Sequence, residues 1–321
     1  MRKTPTVTWL PLLVVAILGG VAMRMANARF ATEYNLFVIL QSVAAFALIG
    51  FAVMVVLSVG DISLAVGGIA STASVLFGWL VQIVHIPSVL AALIVGLYGL
   101  VAGVTNGILI TKSRLSGFIV TLVTGVAWGG VALGFTHASA FQNIPSDWTA
   151  FGQARIGFFP MIGIVTVVIA VGLVALYRWS PLGRAMLAIG GNKEAALLVG
   201  ISPARQLIVA HSLSGLLAAA AALLYIARIG SAPPDLGADW VLISFAVAII
   251  GGTALFGGRV SVVGAVIAAI VLAAIDNALI LLNVSQYGIT FAQGFLILLA
   301  ILLGNMRNFG SILPKLKRRL A

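Results

Sequence analysis

The strongest constraint on this chain is a series of long apolar runs separated by short polar segments. About 20 apolar helical residues cross a bilayer core, and open backbone cannot face lipid, so each run is expected to form a transmembrane helix. The sequence predicts an all-α integral membrane protein, a single transmembrane domain over residues 1–321, with about ten spans. Their approximate bounds are 7–27, 35–59, 62–83, 88–111, 117–136, 158–178, 204–227, 240–256, 260–282 and 287–305.

The distribution of basic residues predicts how these spans are oriented. The chain is 62% hydrophobic and only 8% charged, which excludes an ordinary soluble domain, where about a quarter of the residues are charged. With both termini in the cytoplasm, 14 of the 18 Lys and Arg residues lie inside, and those outside are Arg24, Arg29, Arg155 and Arg228. Cytoplasmic loops are enriched in Lys and Arg, so this asymmetry favours ten spans with both termini inside. The basic excess then reflects membrane orientation, and no nucleic-acid partner is expected.

Both ends of the chain carry signals of membrane insertion. Arg2 and Lys3 before an apolar run imitate a signal peptide, but no convincing small-residue cleavage site follows, so a retained first span is expected. The basic cluster from Lys315 to Arg319 predicts an anchor for lipid headgroups. The chain has no cysteine, which excludes disulfides and thiolate chemistry.

A charged interval, residues 178–205, predicts a short cytoplasmic helix between the sixth and seventh spans. Asn192 suits an N-cap, Glu194 lies in the first turn where the helix dipole favours an anion, and Gly200 suits a left-handed end. So short and apolar a helix needs a packing partner, which is either the membrane and its own bundle or another protein. The residues expected to form this helix and its contact surface are Gly190, Asn192, Glu194, Ala195, Ala196, Leu197 and Gly200.

Two glycine-bracketed breaks, at residues 60–68 and 251–258, each precede a new span. Breaks in corresponding places of two halves are typical of solute pathways across membranes. Polar side chains within spans are functional by default, because an ionised group near the bilayer centre costs about 2.5 to 3.5 kcal/mol. The candidates for a pathway or gate are Gln41, Asp61, Ser63, Asn106, Asp276 and Asn277.

Most of these polar residues have a second, structural interpretation. Asp61, assisted by Ser63, is equally suited to cap the third span. The amides of Gln41 and Asn106 are suited to join helices. Asp276 is expected near the outer end of its span, facing the bundle or a partner subunit instead of lipid.

Two segments on the predicted outer side, residues 136–157 and 229–240, contain candidates for docking of an external protein. These are Trp148 in the first segment and Asp235 and Asp239 in the second. Trp148 is equally typical of an interfacial anchor, and the two aspartates of solvated turns.

No enzyme constellation emerges from the sequence. His85, His137 and His211 lie in different segments, with no metal-ligand spacing and no neighbouring Ser or Asp that suggests a triad. The glycine-rich stretches lack the Gly-Lys-Ser or Gly-Lys-Thr ending of a phosphate loop. We therefore expect no catalytic residue, metal or cofactor on this chain.

Several motifs resemble those of ribose-type (monosaccharide) ABC importer permeases. The run from Gly183 to Ile201, with Gly190-Gly191-Asn192 and Ala195-Ala196 inside it, is similar to the cytoplasmic coupling loop of that family. Residues 60–67, the glycine break at 251–258 and residues 277–285 are similar to three further family elements, and the likeness covers about residues 35–305. The sequence departs from the family pattern at Ser63, Ala65, Val260 and Asn283.

The resemblance implies a permease subunit of an ATP-binding-cassette importer in the bacterial inner membrane. It implies ATP-binding subunits that hold ATP and Mg²⁺ and receive the coupling helix in a cleft, together with a second permease chain, identical or not. It also implies an extracytoplasmic substrate-binding protein that delivers a monosaccharide. Branched-chain amino acids or nucleosides, carried by neighbouring branches, stay an alternative substrate class, and an ion-coupled secondary transporter stays the rival mechanism.

Overall fold

The computed structural model describes residues 10–285, 287–295 and 298. A single 3-10 turn lies at Ala28–Ala31, strands β1 (Arg155–Ile156) and β2 (Phe159–Pro160) form a small antiparallel hairpin, and residues 287–295 are helical. The Lys315 to Arg319 cluster and the outermost parts of the first and tenth predicted spans lie outside the described residues. The other helices are α1 (Leu10–Ala26), α2 (Glu33–Ser58), α3 (Val66–Gln82), α4 (Ser88–Ser113), α5 (Gly117–Thr136), α6 (Ser146–Gln153), α7 (Met161–Trp179), α8 (Pro181–Gly191), α9 (Lys193–Leu198), α10 (Pro203–Ile229), α11 (Trp240–Ile250) and α12 (Val262–Leu281).

Six of the described helices are long and apolar enough to cross a membrane, namely α2, α4, α5, α7, α10 and α12. Helices α3 and α11 are also apolar but shorter, at 17 and 11 residues. Apart from the small hairpin, the expected all-helical membrane architecture is confirmed. The count of ten spans and the cytoplasmic placement of both termini stay predictions.

Two of the expected spans are shorter than the sequence predicted. The third, expected from residue 62, becomes helical only at Val66, and the eighth, expected to reach residue 256, ends at Ile250. Gly60, Gly252 and Gly257 have positive φ angles of 78°, 93° and 90°. A left-handed residue cannot continue a right-handed helix, so the chain leaves the helix at these glycines. Hydropathy misses the breaks because their apolar residues score alike in a helix and in a loop.

Helix α2 forms the centre of the bundle. It is apolar all round, as a fully enclosed helix must be, and Phe51, Met54 and Leu57 have no solvent exposure. It contacts α7, α10, α11 and α12. Helices α4 and α5 lie at the periphery of the bundle and expose large apolar side chains such as Leu93 and Val126.

Helices α4 and α10 touch through their backbones. Gly99, Gly103 and Gly107 recur every four residues on one face of α4. A Cβ on Gly99 would lie 2.5 Å from the carbonyl oxygen of Gly215 on α10, and one on Gly103 would collide with the carbonyl oxygen of His211. The hydrophobic effect does not drive helices together in lipid, because lipid tails are as apolar as the side chains. Close van der Waals packing at glycine faces stabilises the helix pair instead.

We predict that Gly103→Ala lowers the free energy of unfolding by about 1 to 3 kcal/mol, because the added methyl group meets main-chain atoms that cannot rotate away. The measurement is an SDS titration of the purified protein in mixed micelles, followed by circular dichroism. Gly130→Ala on α5 is the matched control, since no atom lies within 4 Å of its position for a Cβ. Equal losses in the two variants would contradict the packing argument.

Candidate functional site

The short helix predicted between the sixth and seventh spans is present as α9. The Asn192 side-chain oxygen accepts a hydrogen bond of 3.0 Å from the Ala195 N–H, which makes Asn192 the N-cap. Glu194 lies in the first turn, and Gly200 has a φ of +80° just after the end of the helix. The local structure of this segment therefore follows from its own capping residues.

The C-terminal end of α9, with the residue that follows it, is apolar and exposed. Leu198 is 90% exposed and Val199 74%, and Leu197 is also exposed. Ala196, by contrast, is only 4% exposed, and its carbonyl accepts from the Ile201 N–H. Ala196, one of the expected contact residues, is thus turned towards its own chain. We call the three exposed residues, Leu197, Leu198 and Val199, the α9 patch.

Helix α8, which directly precedes α9, packs against the two glycine breaks. A Cβ on Gly190 would collide with the carbonyl oxygen of Ser58 and lie 2.5 Å from the amide nitrogen of Gly258. The Gly258 N–H donates to the same Ser58 carbonyl at 3.2 Å, and Gly60 lies against the main chain of Phe256. The two breaks and the end of α8 therefore meet in one junction of glycine backbones.

Asp61 lies next to this junction and pairs with a histidine. Its Oδ2 is 2.9 Å from Nε2 of His211, which is almost fully buried on α10. The N-cap residue of α3 is Ala65, which makes no side-chain hydrogen bond, so the interpretation of Asp61 and Ser63 as the cap of that helix is wrong. The Asp61 carboxylate also occupies the space beside Gly117, at the start of α5.

Sequence reasoning did not predict this pair, because Asp61 and His211 are 150 residues apart along the chain. An acidic residue and a histidine within apolar runs were the available signal, since buried titratable groups in membranes generally pair with one another.

A groove runs between α3, α5 and the segment 231–239. Its volume is about 310 Å³, and we call it the glycine groove after the residues that shape it. Gly67 and Gly237 face each other so closely that a Cβ on either would collide with the other's carbonyl oxygen. The Gly237 N–H donates to Ser71 Oγ at 3.1 Å, which fixes the segment against α3.

The segment 231–239 is not the outer loop that the sequence predicted. At its beginning, Ala232 pairs with Phe141, whose ring lies against Gly78 near the outer end of α3. Five residues later, Gly237 lies beside Gly67, at the opposite end of α3. The two glycines of α3 are separated by about 16 Å at 1.5 Å per residue, so the segment re-enters the bundle.

The docking candidates are therefore separated by the fold. Asp235 lines the glycine groove, and Asp239 is exposed just before α11. Trp148 is half-buried, donates from Nε1 to the Leu223 carbonyl at 3.2 Å and packs 5.1 Å from the ring of Phe77. Its ring holds the outer segment on the bundle, while its docking role stays a prediction.

The remaining pathway candidates lie away from the groove and mostly join elements. Asn35 and Asn277 exchange two amide hydrogen bonds of 2.8 and 2.9 Å between α2 and α12. Gln41 donates to the Gly152 carbonyl at 3.0 Å, and Asp276 accepts from Gln293 at 3.0 Å. Asn106 is buried in α4. None of these candidates is among the described residues that line the groove.

The multi-span helical bundle, its groove and the exposed α9 patch together define a membrane permease. The family described as "Branched-chain amino acid transport system / permease component" matches residues 35–303. The chain belongs to this family of permease components and is a multi-pass membrane protein.

Among curated proteins, the chain is similar to several sugar permeases. It is 33% identical over 290 residues to the ribose import permease protein RbsC of Bacillus subtilis (strain 168), covering 90% of each chain. It is 31% identical over 317 residues to RbsC of Escherichia coli (strain K12), covering 96% of this chain and 98% of the relative. It is also 31% identical to the D-allose transport system permease protein AlsC of the same strain, covering 92% and 89%. No solved structure matches the chain. The resemblance found in the sequence is confirmed.

We predict that Asp61 and His211 stabilise the protein jointly. In a double-mutant cycle of Asp61→Ala and His211→Ala, the stability loss of the double variant should fall short of the sum of the single losses by about 0.5 to 3 kcal/mol, the range for residues in contact. The measurement is the same SDS titration of purified protein. Ser212→Ala, which changes the next residue on α10, should combine additively with Asp61→Ala. Additive losses in the His211 cycle would contradict the pairing.

Proposed function

We propose that this chain is the permease subunit of a bacterial ATP-binding-cassette importer. It provides the path by which a monosaccharide crosses the inner membrane after an extracytoplasmic substrate-binding protein has delivered it. Support for the sugar class comes from relatives named for ribose and allose. The family's description names branched-chain amino acids, which we keep as the alternative class.

The α9 patch is the observation that carries this proposal. Leu198 and Val199 are the most exposed apolar residues of the segment between α7 and α10. A helix of six residues gains little from its own hydrogen bonds, so packing decides whether it persists. Ala196 packs on its own chain, which leaves the α9 patch free for a partner. An ATP-binding subunit with an apolar cleft fits this patch, and that subunit would hold ATP and Mg²⁺.

A continuous set of contacts connects the α9 patch with the glycine groove. Movement of α8 is passed through Gly190 to Ser58 and to the break that contains Asp61. From there Asp61 contacts α10 through His211, and the Leu64 N–H donates to Thr121 Oγ on α5 at 2.9 Å. Helix α5 is one wall of the groove. These contacts support a route by which displacement of α9 is passed to the groove through packed backbone and hydrogen bonds.

We also propose that a second permease chain covers the glycine groove. Leu122 and Val126 on α5 line the groove and are large, apolar and exposed. A second permease chain against this face would close the groove into an enclosed path. Whether that chain is a copy of this one is decided by the composition of the purified importer.

An ion-coupled secondary transporter is the second candidate, and the Asp61–His211 pair is the observation that favours it. A buried acid and histidine are the kind of titratable pair that carries protons in gradient-driven transporters. The two mechanisms differ in their source of energy, so a single uptake experiment distinguishes them.

We predict uptake of radiolabelled ribose or allose into proteoliposomes that contain this chain and its ATP-binding subunit. The binding protein and the sugar are added outside, and accumulation should occur only when ATP is enclosed in the lumen. Leucine in place of the sugars tests the alternative substrate class. Vesicles that contain the permease alone and an imposed proton or sodium gradient are the control. Uphill uptake in these control vesicles would contradict the importer and support the secondary transporter.

We predict that Leu198→Asp weakens binding of the ATP-binding subunit at least about tenfold. Burying a leucine contributes about 1.5 to 3 kcal/mol, and 1.4 kcal/mol corresponds to a factor of ten in affinity. Binding is measured by microscale thermophoresis in detergent. Ile156→Asp is the matched control, because Ile156 is 65% exposed in β1, far from α9 along the chain. Unchanged binding of the Leu198 variant would contradict the role of the α9 patch.

A further inference from the structure

The wall of the glycine groove carries a single charged side chain among the described residues that line it, and this is Asp235. The other lining side chains are aliphatic or absent, apart from Ser71, whose Oγ accepts from the Gly237 N–H. Asp235 itself is exposed, and within the described ranges its carboxylate has no salt bridge or side-chain hydrogen bond. The groove therefore presents one unoccupied, strong hydrogen-bond acceptor.

The backbone on both sides of Asp235 is held against the bundle. Before it, Ala232 is paired with Phe141, and after it the Gly237 N–H is bonded to Ser71. Beyond the turn, the Trp240 ring packs edge-on to Tyr225 at 5.7 Å. These contacts place Asp235 at the wall of the groove.

Acidic side chains that face a cavity between membrane helices are functional candidates by default. A carboxylate only accepts hydrogen bonds, and its bonds to hydroxyl groups are short and strong because the acceptor is charged. A neutral sugar offers several hydroxyl donors and an apolar face of C–H groups. The groove offers the complementary surfaces, and its volume of about 310 Å³ lies at the lower end of the range for small-molecule sites, about 300 to 1,000 Å³.

We propose that Asp235 is a solute-contacting residue of the translocation path. Its carboxylate accepts hydrogen bonds from the hydroxyls of a neutral monosaccharide while one face of the sugar lies on the glycine wall. The negative charge also repels anionic solutes such as sugar phosphates and sugar acids. This inference rests on the proposed function and adds to it a place in the membrane where the sugar is recognised after leaving the binding protein.

The test is the number of sugar molecules imported per ATP hydrolysed, measured with radiolabelled ribose and allose in proteoliposomes of the complete importer. Asp235→Asn keeps the shape of the side chain but loses the charge, and Asp235→Ala also loses the acceptor. We expect import per ATP to fall roughly tenfold in Asp235→Ala and by less in Asp235→Asn, since hydrogen bonds to charged groups are stronger than those to neutral ones. Asp239→Asn and Asp239→Ala are the matched controls, because Asp239 is exposed but does not line the groove.

The outcomes separate this inference from the proposed function. If the unaltered importer takes up no sugar, the proposed function fails and this inference fails with it. If the unaltered importer works and the Asp235 variants match the Asp239 controls, only the inference is overturned. Size-exclusion chromatography with light scattering shows whether the variants still assemble. Loss of the second permease chain in both Asp235 variants would also overturn the inference, because Asp235 would then be an interface contact.

Labelling of a single cysteine gives a second readout. The chain has no cysteine of its own, so Ala238→Cys, at another exposed residue that lines the groove, creates a unique thiol and leaves Asp235 in place. We expect a small methanethiosulfonate reagent to modify it, and turnover with the transported sugar to slow the modification. In the Ala238→Cys, Asp235→Ala double variant this protection should be lost. A thiol at position 238 that turnover does not protect while Asp235 is present would contradict sugar binding in the groove.

Discussion

The close contact of glycine backbones is the interaction on which the rest of this structure depends. In lipid, apolar side chains gain nothing by leaving the solvent, so helices associate through van der Waals contact and buried hydrogen bonds. Gly103 on α4 meets the main chain of α10, Gly67 meets Gly237 in the re-entrant segment, and Gly190 meets Ser58 at the junction of the breaks. A single added methyl group would clash with main-chain atoms in each of these contacts.

Polar side chains supplement the glycines where the backbone leaves a helix or where helices cross. The paired amides of Asn35 and Asn277 join α2 to α12, and Gln41 holds the outer helix α6 through the Gly152 carbonyl. These groups satisfy one another because no water in the bilayer core can do so. Their polarity thus serves the architecture.

The location of the two breaks links the architecture to the function that we propose. Both breaks end helices α2 and α11 on the side of α9, and both touch the end of α8. In the function that we propose, displacement of the helices acts at this glycine-built junction. Asp61 and Leu64 then connect the junction to the walls of the groove.

The sequence by itself determined the features that depend on neighbouring residues. Apolar runs gave the membrane helices, and Asn192 and Gly200 gave the ends of α9, because a cap and a left-handed residue act within one turn. Only the tertiary structure decided which groups meet across the bundle. It paired Asp61 with His211, turned Ala196 inwards, shortened α3 and α11, and carried Asp235 from an expected outer loop into the groove. The physical reason is that hydropathy records the average preference of a segment for lipid. These contacts, in contrast, join residues far apart in the chain and depend on how the helices pack against one another.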